Sequence, residues 1–411
     1  MLHVHSGRLT AAALFLATLA ACSERATVVE NAAPAWGDSI AWTIGTEPAL
    51  IAGRQPEDID ALLSAGDAAR TSHGRIAVAI QALDQLRIYD PAGALVATAG
   101  GPGSGAFRAI GRVWVRPGDT IAVASVRVPA VHSFDADGKL LETVSIKADA
   151  NTLFVTPIGQ FADGSFLAQS LVPGPALPDL GELLRDTIAF LRITRDGQTV
   201  RSVLRVAGAR QIVFDDGGGK RQIAAPLPLT VSGTAAGDDL ISGNGETSEL
   251  AVSGPDGTMR RIVRWNATPV PVTDELKRLY RNSALGENPP DDVARVFDSF
   301  TSQAGFPDSM PVYNGIATDD DRFIWLRAYA PPWALDEPEV WTVFDPAGRW
   351  LGSITMPPGF RPTRFGNMFV LGLLDSPDGY RQVALFTLDR TAVRRPAPVA
   401  GPSPASQPPA R

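Results

Sequence analysis

From about Asp38 to Arg390 the chain alternates short apolar runs with Asp/Gly/Pro turns, a period-two pattern that predicts β-strands almost throughout. The clearest unit runs Gly74-Arg75-Ile76-Ala77-Val78-Ala79, then Leu86-Arg87-Ile88-Tyr89, the turn Asp90-Pro91-Ala92-Gly93, and Leu95-Val96-Ala97-Thr98. The next unit repeats it, through Val113-Trp114-Val115, Ile121-Ala122-Val123, Val131-His132-Ser133-Phe134, the turn Asp135-Ala136-Asp137-Gly138 and Leu140 to Val144. The glycines closing the two turns are 45 residues apart, 138 minus 93. Similar turns follow at Arg195-Asp196-Gly197, Pro255-Asp256-Gly257 and Asp345-Pro346-Ala347-Gly348. A repeat of roughly 40 to 50 residues, each unit a small antiparallel sheet, predicts a β-propeller.

Helical periodicity is confined to the stretch 273–303, where Thr273 can cap one helix and Pro290-Asp291-Asp292 can start another. This insertion is expected as a flap packed on the blades, with a lid over the propeller mouth as the sharper alternative. Wider spacings in the middle of the chain are assigned to insertions near Pro173–Asp186 and Asp215–Gln222. Units near 72–100, 111–145, 152–205, 225–265 and 311–355 are followed by a sixth, Thr363 to Leu388, that supplies too few strands. The strand Ser39 to Ile44 has no blade of its own. If it completes the sixth unit, the ring is sealed and no sheet edge is left between the chain ends. The fold class is therefore all-β, a single propeller of six blades closed by the N-terminal strand, with seven blades fitting if the wide spacings hide another.

The segments Arg75-Ile76-Ala77-Val78, Asp90 to Gly93 and Gly100-Gly101-Pro102-Gly103-Ser104-Gly105-Ala106-Phe107 resemble the NHL-type repeat: a strand, an Asp-containing turn with Gly, and a glycine-rich connection ending in Phe. The resemblance is good over Gly74 to Val144 and again near Val343 to Ile354. It implies a six-bladed propeller, but this family includes protein-binding, RNA-binding and enzymatic members, so fold does not fix function.

The first residues change the picture of where the protein works. Met1 to Arg8 carry one basic side chain and no acid, and an apolar run follows from Leu9 to Ala21. At about 13 residues it is shorter than the roughly 20 that a membrane-crossing helix needs, and it reads as an export signal. It ends in Leu19-Ala20-Ala21-Cys22, which looks like a bacterial lipobox, and Cys22 is the sole cysteine. The domains read as a lipoprotein signal peptide at 1–21, a linker at 22–37, the propeller at 38–390 and a Pro/Ala-rich disordered tail at 391–411. Lipidation at Cys22 places the protein in the cell envelope, at the outer membrane on the compatible Ser23.

Composition narrows the chemistry. The net charge is −7, and no basic stripe is present, which argues against nucleic acid as a partner. The glycine-rich run at Gly101 precedes a strand rather than a helix, so no phosphate loop is formed. Asp135 to Gly138 and Asp319-Asp320-Asp321 lack the Glu of a calcium loop and read as hairpin turns. Beyond the leader only His73 and His132 remain, and no metal set or catalytic residue is nominated; the cofactor stays open. The binding guess falls on the fifth unit, at Tyr313, Asn314, Trp325, Arg327 and Trp333, because aromatic and Arg side chains dominate binding hot spots. The expectation is an envelope binding or scaffold module for a protein, peptide or glycan, with a metal-dependent propeller lyase or lactonase as the alternative.

Overall fold

The computed structural model describes residues 26–37, 42–147, 152–174, 179–215 and 218–391. Cys22, the leader and the tail beyond Thr391 lie outside these residues. Among the described residues the strands form six separate sheets, each built mainly from chain-consecutive antiparallel strands. The first blade is Ala65–Arg70, Ile76–Ile80, Gln85–Tyr89 and Leu95–Gly100. Its innermost strand, Ala65–Arg70, touches the innermost strand of the second blade, Ile110–Arg116. The contact passes on through Leu153–Gln160, Ser232–Ala236, Tyr313–Thr318 and Phe360–Phe365, and returns to Ala65–Arg70. The chain is a β-propeller.

The N-terminal strand closes the ring as the sequence predicts. Thr43–Ile44 and Leu50–Ala52 both pair antiparallel with Arg381–Asp389, giving the sixth blade its outer edge. The segment read as a linker is bound as well. Thr27–Asn31 lies parallel to Met259–Trp265 as a fifth strand of the fourth blade. The side chain of Asn31 then donates to the Gly348 carbonyl at 3.0 Å and accepts from the Trp350 amide at 2.8 Å, and Ala35 and Trp36 donate to Trp350 and Leu351 of the fifth blade. Residues 27–37 and 42–52 thus strap three consecutive blades. Within this strap Trp42 sits in the core between the fifth and sixth blades, beside Trp325, Phe360 and Phe365.

The repeating Asp turns have one geometry. In each of Asp90, Asp135 and Asp345 one carboxylate oxygen accepts from the amides two and four residues on, at 2.8–3.0 Å. The glycine of each turn faces the outer strand of the preceding blade. A Cβ on Gly93 would stand 2.5 Å from the Ile51 carbonyl oxygen, one on Gly257 2.6 Å from that of Val203, and one on Gly348 2.6 Å from Val263. Close approach between neighbouring blades, together with φ between +80° and +89°, is why glycine recurs here. Gly93→Ala is expected to lower the unfolding free energy by at least about 2 kcal/mol, since the left-handed backbone alone costs a side chain roughly 1–2 kcal/mol; equilibrium denaturation measures it.

Two insertions differ from the expected loops. The third blade extends its strands Leu183–Ile193 and Thr199–Asp215 into a long hairpin, to which Lys220–Ala224 adds a further strand. Helix α1 (Pro56–Leu62) connects the closing strand to the first blade. It buries Asp58, whose Oδ1 accepts from Arg87 at 2.6 Å and from the Tyr89 hydroxyl at 2.8 Å. Helix α2 (Asp274–Leu285) is capped by Thr273 and buries no residue, while α3 (Asp291–Ala304) seats Phe300 against Phe214 of the third-blade hairpin. The pair is a flap packed on blades.

A latch joins the first two blades. Asp119 accepts from Ser72 through both its amide and its hydroxyl, and contacts His73 Nδ1 at 2.5 Å. Its slight desolvation, which alone would raise the pKa, is outweighed by these bonds, which bring the carboxyl down to about 2. A depressed carboxyl stabilises the fold above its unfolded pKa, and that contribution is lost as the pH falls through the folded value. Asp119→Asn is therefore expected to lower stability at neutral pH and to flatten its further loss between about pH 4 and pH 2, seen in acid titrations of the unfolding midpoint.

Candidate functional site

The six inner strands converge on the axis, and five of them are interrupted by irregular pairings. Register shifts fall at Ala65/Asp67, Ile110/Val113, Pro157/Gly159, Tyr313/Gly315 and Pro362/Arg364. Such bulges re-aim side chains at the rim of a closed sheet. They leave a central cavity of about 330 Å³ lined by every inner strand. It opens on the face that carries the turns between first and second strands, including Gly237, Asp320 and Arg322. No residue of α2 or α3 lines it, so the helical pair is not its lid.

Its carboxylates are largely committed to structure. Asp67 is 5% exposed, accepts from the Ala68 amide at 3.0 Å and from the Val113 amide at 2.9 Å, and so ties the first inner strand to the second. Burial pushes its carboxyl above the usual range, opposed by Arg112, whose Nη1 stands 3.9 Å away, and by the two amides. Asp319 is buried and takes Trp325 Nε1 and Arg390, with the Asp321 and Phe323 amides on its other oxygen. Asp320 pairs with Arg364 at 2.5 Å. What the mouth presents to solvent is thus Arg112, Arg322 and Arg364 with the exposed carboxylate of Asp320, while Asp67 and Asp319 line the same cavity from buried positions.

A second cavity of about 570 Å³ lies on the same face between the second and third blades, and shares Trp114, Val115, Gln160 and Gly237 with the first. Arg116 lines it and donates to Ser133 Oγ, leaving its Nε without a partner. Desolvation lowers the Arg116 pKa, partly offset by Glu142. The indole Nε1 of Trp114 is also buried without a partner, and Arg195 donates to the carbonyl of Asp163. Among the described residues neither Arg116, Arg195 nor Arg322 is ion-paired to a carboxylate.

The residues nominated from the sequence do not form one surface. Tyr313 is 2% exposed, with its hydroxyl donating to the Glu249 carbonyl, and Trp325 is fully buried, stacked on Phe365 at 4.2 Å. Both are packing residues between blades. Arg327 donates to Asn314 Oδ1 at 2.8 Å and reaches Glu339 at 3.4 Å, so these two bind each other within the fifth blade. Trp333 sits apart, in a single turn of 3₁₀-helix at Pro332–Ala334. Cys22 is outside the described residues.

Two other groupings can be read chemically. Ser72, His73 and Asp119 imitate a nucleophile triad in composition only. Both Ser72 Oγ and Asp119 meet the same ring nitrogen, Nδ1, and the Ser72 hydroxyl itself donates to Asp119, so no base is aimed at the serine. His132 is buried between Ser125 and Thr143, with Phe107 edge-on at 5.1 Å. Among the described residues no three His, Cys, Asp or Glu side chains approach closely enough to hold a metal ion.

The arginines of the inner strands were missed in the sequence. The signal was present in Arg112, Arg116 and Arg364, charged residues inside strands whose neighbours are apolar or small. Neither a protein family nor a characterised sequence matches the chain. Solved structures similar to it include a DUF4221-family member from Bacteroides vulgatus, 12% identical, covering 85% of this chain and 98% of that one, with a TM-score of 0.49. A Bacteroides fragilis protein named as an exported one is 11% identical over 89% and 99%, with a TM-score of 0.47. A gluconolactonase from Xanthomonas campestris is 13% identical over 86% and 98%, with a TM-score of 0.41. At these values the propeller assignment rests on the chain's own sheet order.

Proposed function

We propose that the protein is an exported, lipid-anchored binding module of the bacterial envelope that takes an anionic ligand at the mouth of its propeller. The observation that supports this most is the excess of exposed arginine at the mouth, Arg112, Arg322 and Arg364 against Asp320, on a chain whose net charge is −7. Local charge opposite in sign to the whole is what selective anion capture requires, since the overall field repels anions from every other face. The anchor rests on the apolar run ending at Cys22, and the NHL kinship on the quoted strand, turn and glycine segments.

Cys22→Ala is expected to move the protein wholly from the membrane to the soluble fraction, and persistence in the membrane fraction would remove the anchor from this reading. The released chain can then be titrated with dextran sulfate and with neutral dextran, following tryptophan fluorescence. Binding of the sulfate alone, weakened at least about tenfold by Arg322→Glu, is expected for a charge contact in the site. Equal binding of both polymers, or no effect of the substitution, would sink the anionic reading. A stoichiometric metal in the purified protein would instead favour a channel enzyme of the lyase or lactonase type.

A further inference from the structure

We infer that the groove between the second and third blades continues the mouth into one cleft, and that its occupant is a linear acidic saccharide. The inference rests on the anionic reading of the mouth and adds the length and class of the ligand. The two cavities, about 330 and 570 Å³, adjoin across Trp114, Val115, Gln160 and Gly237 on one face. Each falls within the roughly 300–1,000 Å³ that houses one small molecule, so together they suit a chain of several units rather than a single one.

Among the charged side chains that the cleft exposes, donors outnumber acceptors. The groove adds Trp114, Arg116 and Arg195 to the mouth's Arg112, Arg322 and Arg364, and indole and guanidinium groups donate without accepting. Trp114 Nε1 and Arg116 Nε are buried behind this lining, so the donors a ligand can reach are the remaining guanidinium N–H groups. Asp320 is already bonded to Arg364, and Asp67 and Asp319 are buried in their own hydrogen bonds, which leaves Glu142, the Gln160 carbonyl and the Ser and Thr hydroxyls as the remaining side-chain acceptors. The fitting ligand is therefore rich in acceptors along its length. A uronate chain meets this, because carboxylates and ring oxygens accept and its hydroxyls rotate to accept where donors surround them. An acidic peptide brings one fixed amide N–H per residue that demands an acceptor in return. Planar guanidinium groups also match carboxylates in a two-point contact. Partial desolvation already depresses Arg116, a cost that a bound carboxylate would offset.

The test is calorimetric titration of the Cys22→Ala chain with galacturonate monomer, trimer and hexamer, with neutral galactose oligomers and with octaglutamate. Affinity is expected to rise at least about tenfold from monomer to hexamer, as linked subsites allow, with no binding of the neutral oligomers. In the Arg116→Gln/Arg195→Gln double variant the gain with length should vanish while monomer binding stays. Arg195→Gln alone, at an exposed position, should remove part of the gain and guards against a folding defect in the double variant. Arg322→Ala should weaken every length alike. If the length gain survives the double variant, the groove is not part of the cleft and the mouth reading stands alone. Octaglutamate binding as tightly as the hexamer would overturn the saccharide assignment. Failure of all the anions to bind would overturn both readings.

Discussion

Asp319→Ala is expected to lower the unfolding free energy by about 3–5 kcal/mol, the range for removing one partner of a buried, hydrogen-bonded charge. Asp319 opens the first turn of the fifth blade, where its Oδ1 takes the Asp321 amide at 3.0 Å and the Phe323 amide at 2.8 Å. Its Oδ2 takes Trp325 Nε1 at 3.1 Å and Arg390 Nη2 at 2.6 Å. The carboxylate is wholly buried and the Arg390 side chain only 14% exposed. Truncation strips four donors of an acceptor at once, and Asp321 at 3.2 Å remains as a weaker partner for Arg390. Asp320→Ala, one residue on, is the internal control. Its carboxylate is 49% exposed and paired with Arg364 at the surface, where such pairs contribute no more than about 1 kcal/mol. Guanidinium unfolding with an unchanged slope would measure both. Equal costs at the two positions would show that Asp319 does not fasten the ring.

That same turn shows how far the residues could be read without coordinates. Asp319-Asp320-Asp321 was separable from a calcium loop because no Glu follows at the right distance, and the structure uses it as a hairpin turn. The period of the fold was legible for a related reason. Asp and Gly recur because the carboxylate caps the turn and the glycine abuts the preceding blade, as at Asp90 and Gly93, and both demands repeat once per blade. The innermost strands were harder. Ala65–Arg70 reads AGDAAR, with no alternation of large apolar and polar residues to mark it as a strand. The strap strand Thr27–Asn31 was illegible altogether. It is five residues long, and its partner on the fourth blade lies more than 230 positions away. The insertions near Pro173–Asp186 and Asp215–Gln222 were read as extra chain, but their extension of an existing hairpin could not be seen, since strand length is set by the partner across it.

The binding guess misplaced its aromatics for a physical reason. In a propeller the gaps between blades are filled by the largest apolar side chains, so Trp325 and Tyr313, chosen as surface anchors, are where the blades meet. Arginines on the inner strands carry more information, because a charge so near the axis has no packing role and must face the channel or its mouth. Arg112 and Arg364 do so, one beside the buried Asp67 and the other bonded to Asp320. A reading that treats strands at the axis as pore-lining first, and as core second, would have found them.

Trp42→Ala should cost about as much as Asp319→Ala, roughly 3–5 kcal/mol for truncating a buried Trp, but through a different element. Trp42 is 7% exposed and holds the strap against Trp36 at 5.4 Å, Phe323 at 5.0 Å and Trp325 at 5.8 Å. The guanidinium of Arg390 lies 4.5 Å above its ring and also donates to Asp319. The two positions therefore share one partner, and losing either leaves Arg390 half-held. In the Asp319→Ala/Trp42→Ala double variant the loss should fall short of the sum of the single losses by about 0.5–3 kcal/mol, the coupling typical of residues in one network. Because the strap supplies the outer edge of the sixth blade, the Trp42 variant should also open locally before it unfolds. Hydrogen exchange should then rise in Arg381–Asp389 while the second blade, Ile110–Arg116 onward, stays protected. Additive losses with uniform exchange would mean that the strap and the fifth-blade turn seal the ring independently, and that Arg390 does not transmit between them.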